Sequence, residues 1–350
     1  MKIKVLFSVA FIIFISFLLV KFLFLDGENN NLNELVAVDA ESNEFSRTFT
    51  EQEAVYSIHF TDSASLKVPA SIQLVDSTVY ILDFSDFSIY NFHHDGTLVQ
   101  KLKTGVGNGP GEFNHLSGYD IINRSLWAVD QANLRVSSFD LDSGEFYTNF
   151  SVQKRPWRIT TLHDGLIIMW LGSDQLFTKF DFEGKEITRF GEIAEDQLQN
   201  PLSFDGEIAS NRNDLFVYVP RYASLIYVYS SSGELKKVIQ APDGRSFQQT
   251  IQIDNVYQAP TVGNKYVMLD PVISDDNILS VYVAGAGEQN LKTTDDGKPI
   301  AMIDLYDLNK GVYLKSIILP FNHEIGKYDS ENRIFYSTTA YEGNIFKTKF

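Results

Sequence analysis

The sequence predicts an all-β fold, namely a six-bladed β-propeller. An N-terminal strand closes the propeller, and one transmembrane helix precedes it in the chain. Short segments rich in Val, Ile, Tyr and Phe recur, and each ends in a turn that contains glycine. The glycines of five such turns are 48, 40, 49 and 78 residues apart. Periods of about 40 to 50 residues with several strands per unit are typical of propeller blades. No span of a dozen residues beyond the N-terminal segment has helical periodicity, which excludes α/β folds.

The composition limits the possible partners and chemistry. Of the 350 residues, 44% are hydrophobic and 21% are charged, so the chain can bury a core. The 29 Lys and Arg against 45 Asp and Glu give a net charge of -16, which argues against a nucleic-acid partner because that binding depends on clustered basic residues. The absence of cysteine excludes disulfides, zinc–thiolate sites, iron–sulfur ligation and cysteine nucleophiles.

The first 25 residues predict a signal anchor or transmembrane helix. Lys2 and Lys4 precede the uncharged run Val5–Val20, and after Lys21 the apolar run resumes to Leu25. At about 1.5 Å per residue this segment reaches roughly 30 Å, enough to cross a membrane. The positive flank predicts a cytoplasmic N-terminus and a remainder that faces the periplasm or the cell exterior. A cleaved signal peptide is the alternative, although no small-residue cleavage site follows promptly.

Residues 26–53 predict an acidic tether between the membrane and the folded domain. This stretch holds eight acidic residues and one basic residue, Arg47. Such a composition favours a solvated linker over a packed element. The propeller is therefore expected over residues 54–350.

The predicted blades follow from the turns and strands of each unit. Tight hairpins require a positive φ, which glycine adopts without steric cost, and the five turn glycines are Gly96, Gly144, Gly184, Gly233 and Gly311. The six predicted blades are 71–103, 118–152, 158–191, 206–241, 265–320 and 323–350. The 78-residue interval leaves seven blades as an alternative. The last unit has only three strands, so we expect residues 54–60 to supply its fourth strand and close the ring.

The connector between the first two blades carries a family resemblance. The run Gly105–Phe113 reads G-V-G-N-G-P-G-E-F, and it is followed by Leu126–Asp130, by Asn133 and Arg135, and by Gly144. This order resembles the NHL repeat, and the predicted propeller resembles the TolB-like propellers of exported Bacteroidetes proteins. The resemblance implies the fold and hardly any activity, since propellers host enzymes, sensors and binding platforms. We expect Asp130, Asn133 and Arg135 to make local turn and inter-strand bonds.

Two loops predict a ligand-binding surface. Trp157 and Arg158 enter the inner strand of the third blade, and Arg221 and Tyr222 lie between the middle strands of the fourth. In a propeller these two kinds of loop share one face. Aromatic and Arg side chains together are typical of protein and carbohydrate recognition. The sequence therefore favours a non-catalytic binding or sensing module for an envelope protein, peptide or glycan, without a cofactor.

A metal-dependent lyase or hydrolase at the channel mouth is the alternative that related propellers suggest. His115 and His323 both precede inner strands, in the blades on either side of the first, and they are the candidate metal ligands. No sequence motif identifies a catalytic residue. The sequence leaves the ligand and the oligomeric state open.

Overall fold

The computed structural model describes residues 47–50, 56–59, 66–75, 78–102, 104–193, 201–244, 251–253, 256–258, 267–284, 301–319, 323, 325–339 and 344–350. The segment 1–25, predicted to anchor the chain in the membrane, lies outside these ranges, and so does most of the predicted tether. Within the ranges, no helix is both long enough and apolar enough to span a bilayer.

Six four-stranded antiparallel sheets form the blades, each written here from the inner strand A to the outer strand D. Blade 1 comprises Pro69–Val75, Thr78–Asp83, Ile89–His93 and Leu98–Leu102; blade 2 comprises Leu116–Ile122, Ser125–Asp130, Arg135–Asp140 and Phe146–Ser151; blade 3 comprises Pro156–Leu162, Gly165–Trp170, Gln175–Phe180 and Glu186–Glu192. Blade 4 comprises Gly206–Ser210, Leu215–Pro220, Leu225–Ser230 and Leu235–Gln240; blade 5 comprises Val267–Ile273, Ile278–Ala284, Met302–Asp307 and Val312–Ile318; blade 6 comprises Ile325–Asp329, Ile334–Thr339, Asn344–Lys349 and Tyr56–His59.

Smaller elements join the blades. They are a parallel pair formed by Gly105–Val106 and Glu112–Phe113, a 3-10 helix Pro201–Phe204, and a hairpin of Ile251–Ile253 with Val256–Gln258. The hairpin lies in the long interval in which a seventh blade was the alternative, and it has only two strands. The prediction of six blades is confirmed.

The strand A of each blade lies beside the strand A of the next, and that of blade 6 returns to that of blade 1. The middle strands are covered on both faces by neighbouring blades, so they read as continuous apolar runs, and all six residues of Gly165–Trp170 are buried. Aromatic rings fill the space between blades 3 and 4, where Phe177 of blade 3 packs edge-on against Phe216 of blade 4 with ring centroids 5.6 Å apart. These contacts make one ring around a central channel.

The ring closes where the sequence predicts. Tyr56–His59 pairs antiparallel with Asn344–Lys349, and Tyr56 lies opposite Lys349 while His59 lies opposite Phe346. The N-terminal strand therefore satisfies backbone groups that would otherwise leave an open sheet edge on blade 6. All five turn glycines have positive φ values between 71° and 90°, as the hairpins require.

A second N-terminal contact was not predicted. Phe49 and Thr50, inside the stretch 26–53, form a short parallel strand on the outer edge of blade 5, opposite Ser316 and Ile317. The Arg47 side chain is 7% exposed and forms ion pairs with Asp243 and with Asp304, whose side chain is fully buried. The predicted tether is thus held against the propeller at residues 47–50, and its remaining residues lie outside the described ranges.

The NHL-like residues hold the connector between blades 1 and 2. The buried Asp130 carboxylate accepts hydrogen bonds from the backbone N–H groups of Asn114 and His115 at 3.0 and 3.1 Å, and from those of Ala132 and Asn133 at 3.1 Å each. Asn133 donates to the carbonyl oxygen of Gly107 at 2.9 Å.

The Arg135 guanidinium donates to the carbonyl oxygens of Asn108, at 3.0 Å, and of Glu112. Asp83 has the equivalent role in blade 1, where it accepts from the backbone N–H groups of Lys67, Val68 and Ser85. The expectation of local structural bonding by Asp130, Asn133 and Arg135 is confirmed.

Candidate functional site

The central channel widens into a cavity of about 350 Å³ where the A strands begin. Every blade contributes a polar side chain to its wall, and in blade order these are Ser71, Ser117, Arg158, Glu207, Asp270 and Lys327. A second cavity of about 240 Å³ lies where the A strands end, and Gln73 and Lys327 line both. The first cavity contains most of the residues that the sequence singles out, so it is the candidate site.

Arg158 and Glu207 form the centre of this site. The Arg158 guanidinium donates from Nε to Glu207 Oε2 at 2.9 Å and from Nη2 to Glu207 Oε1 at 3.0 Å, a two-bonded pair between blades 3 and 4. The guanidinium also lies 4.9 Å from the ring centroid of Trp157, the preceding residue on strand A. Its geometry is therefore fixed by a carboxylate and by an aromatic ring.

Arg221 and Asp205 extend this network. Arg221, in the loop after strand B of blade 4, donates from Nη2 to Glu207 Oε1 at 2.8 Å, and its Nε lies 2.7 Å from Asp205 Oδ2. The indole N–H of Trp157 donates to Asp205 Oδ1 at 2.8 Å. Asp205 follows the 3-10 helix and directly precedes strand A of blade 4, which aims its carboxylate at both partners. We call Trp157, Arg158, Asp205, Glu207 and Arg221 the arginine–carboxylate network.

The network keeps Glu207 ionised. Burial alone would raise the pKa of Glu207, but the positive charges of Arg158 and Arg221 outweigh it and hold that pKa below its usual range. Burial lowers the pKa values of both guanidinium groups, yet the neighbouring carboxylates leave them above the usual value. All three side chains therefore stay charged at neutral pH.

Asp270 has the opposite character in the same cavity. Its pKa is raised to about 6, mainly by burial. The positive charge of Lys327 lowers this pKa, and the negative charge of Glu207 raises it further. Its φ of 48° lies in the left-handed region that non-glycine residues rarely adopt, within a bulge of the inner strand between Leu269 and Val272. Asp270 Oδ2 accepts a hydrogen bond from the N–H of Gly326 at 3.1 Å. The cavity thus contains a carboxyl group that changes charge near neutral pH.

The predicted binding residues meet in part. Trp157, Arg158 and Arg221 line the cavity together, whereas Tyr222 lies beside Arg221 in the same loop and does not line it. Tyr222 is partly buried, and that burial together with the charge of Asp205 raises the pKa of its hydroxyl. The arginines are already paired with carboxylates, so the surface they present is polar rather than strongly cationic.

The two candidate metal ligands lie in different surroundings. His115 lines the cavity. His323 Nδ1 lies 2.7 Å from Ser337 Oγ, and the imidazole packs 4.7 Å from the ring centroid of Phe346 within blade 6. Across the described ranges, no three or more His, Asp and Glu side chains gather closely enough to hold a metal ion. A metal shared by His115 and His323 stays a prediction.

Sequence reasoning missed five residues of the site. They are Phe84, Asp205, Glu207, Asp270 and Lys327. Phe84, after strand B of blade 1, lines the cavity and is 44% exposed as a residue. Glu207 occupies the position in strand A of blade 4 that Arg158 occupies in blade 3, because Glu207 lies opposite Val219 and Arg158 opposite Met169, each the residue before the last of its strand B. That equivalence is the signal that could have identified Glu207.

Comparisons with known proteins agree on the fold. In solved structures the chain is similar to a Bacteroides fragilis protein named for its expected export (TM-score 0.51, 14% identity, 86% of this chain and 97% of that one). It is also similar to a virginiamycin B lyase from Staphylococcus aureus (TM-score 0.50, 10% identity, 84% of this chain and 98% of that one). A third similar structure is that of the RRP9 WD40 repeats (TM-score 0.51, 10% identity, 87% of this chain and 99% of that one). At these identities the likeness shows the fold alone.

Sequence comparison adds the family. No curated protein matches the sequence. The family model described as 6-bladed beta-propeller, DUF5128, matches residues 27–241, which is more than half of the chain. With six blades around one channel, the chain therefore belongs to the DUF5128 family of 6-bladed beta-propellers.

Proposed function

We propose that this protein is a membrane-anchored, extracytoplasmic binding or sensing module without catalytic activity. It binds an envelope protein, peptide or glycan at the mouth of the channel. The observation that carries this proposal is the arginine–carboxylate network, which places Trp157, Arg158 and Arg221 in the wall of one cavity.

The network supports recognition because it is preorganised. Each guanidinium group is held by carboxylates at 2.7 to 3.0 Å, so little side-chain entropy remains to be lost when a ligand arrives. Aromatic and Arg side chains in a desolvated pocket are the usual anchors of binding sites. Because all six blades line the cavity, a bound ligand can be contacted by protein side chains on several sides at once.

Support for the location comes from the sequence and from one structural neighbour. Lys2 and Lys4 before a long apolar run favour an N-terminal anchor with the propeller exported. The Bacteroides fragilis protein of the same fold is named for its expected export. An anchor and a tether would hold the propeller near the membrane, where envelope proteins and glycans are available.

The experiment is affinity capture from solubilised envelope fractions, using the full-length protein and a Trp157→Ala/Arg221→Ala variant. We expect the wild type to enrich a defined partner and the variant to lose it. Arg189→Ala, on the exposed strand D of blade 3 where Arg189 pairs with Glu186, is the matched control and should retain the partner. Equal capture by the wild type and the double variant would refute the site, provided that circular dichroism shows both to be folded.

A lyase or hydrolase is the second candidate, because Asp270 and His115 line the same cavity and the pKa of Asp270 lies at about 6. A carboxyl group with such a pKa can act as a general base or acid near neutral pH. Elemental analysis of the dialysed protein separates the two functions. Stoichiometric calcium or zinc, lost on replacing His115 or His323 with Ala, would favour the enzyme and overturn the binding module.

A further inference from the structure

We infer that the cavity binds the uncharged end of a saccharide chain. This inference rests on the proposed function and narrows its partner from a protein, peptide or glycan to a neutral carbohydrate. Three properties of the cavity carry it: balanced charge, an exposed aromatic residue, and a group of neutral hydrogen-bonding side chains from blades 1 and 2.

Charge balance is the first property. The basic side chains Arg158 and Arg221 are opposed by Glu207 and Asp205, and Lys327 lies near Asp270. An anionic ligand that pairs with both guanidinium groups would have to displace Glu207 and leave that partly buried carboxylate without a partner, which is costly. A cationic ligand would likewise have to draw a carboxylate away from Arg158, Arg221 or Lys327. The site therefore favours a ligand that forms hydrogen bonds without net charge.

The second property is an exposed aromatic ring at the rim. Phe84 is an exposed residue that lines the cavity, and its ring packs edge-on against Phe87 with ring centroids 6.2 Å apart. The face of an aromatic ring carries partial negative charge and attracts the weakly positive C–H groups of an apolar surface. One face of a pyranose ring presents such C–H groups, so Phe84 offers a stacking surface for a sugar.

Neutral polar side chains supply the third property. Ser71, Gln73, Ser117 and Gln131 line the same cavity. Gln73 Nε2 donates to the carbonyl oxygen of Tyr119 at 3.1 Å and Ser117 Oγ donates to that of Pro156 at 3.0 Å, so both side chains are held in place and keep an oxygen that can accept from a sugar hydroxyl group. The volume of about 350 Å³ lies at the low end of the usual range of roughly 300 to 1,000 Å³ for small-ligand sites. It suits the end of a sugar chain better than a folded protein segment.

The test uses calorimetry with the full-length protein in a detergent without a sugar headgroup. The probes are the neutral oligosaccharides maltotriose, cellotriose and chitotriose, and the anionic probes are sialyllactose and sulfated chitotriose. We expect at least one neutral probe to bind and the anionic probes to bind at least tenfold more weakly. Phe84→Ala should lower the affinity for the neutral probe at least tenfold, and Phe84→Trp should restore that affinity.

Val106→Ala is the matched control, because Val106 is 65% exposed in the connector and does not line the cavity. Binding of anionic probes only, no binding of any probe, or neutral binding that Phe84→Ala leaves unchanged would overturn the inference. If no saccharide binds while Trp157→Ala/Arg221→Ala still abolishes capture of an envelope protein, the proposed function stands and the saccharide assignment falls. If that variant leaves capture unchanged as well, both fall.

Discussion

Replacing Arg47 with Ala should destabilise the whole propeller, although Arg47 lies in a segment that looks like a linker. Its guanidinium donates from Nη2 to Asp243 Oδ2 at 2.7 Å and to Asp304 Oδ2 at 2.9 Å, and its Nη1 also pairs with Asp243. Burial lowers the pKa of Arg47, but the two carboxylates outweigh it and hold that pKa above the usual value. Loss of the cation would leave the fully buried Asp304 uncompensated.

The expected magnitude follows from burial. Breaking a buried ion pair by removing one partner costs about 3–5 kcal/mol of unfolding free energy, whereas an exposed pair contributes about 0–1 kcal/mol. Arg124 and Asp142 form a comparable pair with side chains 68% and 60% exposed, which makes Arg124→Ala the matched control. Urea unfolding followed by tryptophan fluorescence measures both variants.

The result that would refute this reasoning is an Arg47→Ala variant within about 0.5 kcal/mol of Arg124→Ala, since the buried pair would then contribute no more than an exposed one. A second variant tests the cause. Adding Asp304→Asn to Arg47→Ala removes the uncompensated charge, so the double variant should recover part of the unfolding free energy that Arg47→Ala loses. No recovery would mean that the parallel strand Phe49–Thr50, rather than the ion pair, stabilises this edge.

Three further predictions concern single side chains. The folded-state pKa of Asp270 is raised from 3.8 to about 6, so its contribution to stability is present below about pH 4 and is lost as the pH rises through about 6. Asp270→Asn should therefore stabilise the protein by about 1–3 kcal/mol at pH 7.5 and by little at pH 4, measured by urea unfolding at both pH values. Asp130→Ala leaves four backbone N–H groups without their acceptor and should lower the free energy of unfolding by about 3 kcal/mol, measured by thermal unfolding. Gly184→Ala should cost about 1–3 kcal/mol in urea unfolding, because φ is 85° and the new Cβ would lie 2.4 Å from Phe150 Cγ.

Each of these predictions has a control in the same region. Asp275→Asn, at an exposed position of blade 5, should not change the pH dependence, and an equal effect of both variants would contradict the role of Asp270. Asp142→Ala removes an exposed carboxylate and should cost less than Asp130→Ala. At Gly144 the new Cβ would meet the flexible Gln100 side chain at 3.2 Å, so Gly144→Ala should cost less than Gly184→Ala. The reverse order would show that the contact with Phe150 does not decide the cost.

The sequence predicts the blades because each blade is built from local signals. Period and turn chemistry identify the hairpins at Gly96 and Gly144, and the B strands read as apolar runs since neighbouring blades bury both of their faces. Closure by Tyr56–His59 also follows from sequence, because a three-stranded final unit leaves an edge that some other segment must cover. In the same way, the structural role of Asp130 follows from its place in a repeated motif.

The tertiary structure alone decides which charges meet. In the sequence Arg47 is the one cation of an acidic stretch with the composition of a linker, and only the fold shows that it pairs with Asp243 and Asp304, which are 196 and 257 residues later. The sequence predicts that Trp157, Arg158 and Arg221 share a face, but Asp205, Glu207, Asp270 and Lys327 come from three blades, and only the closed ring brings them together. Strand periodicity is a property of adjacent residues, whereas charge pairing depends on distances between blades, and between a blade and the N-terminal segment, that only the folded ring sets.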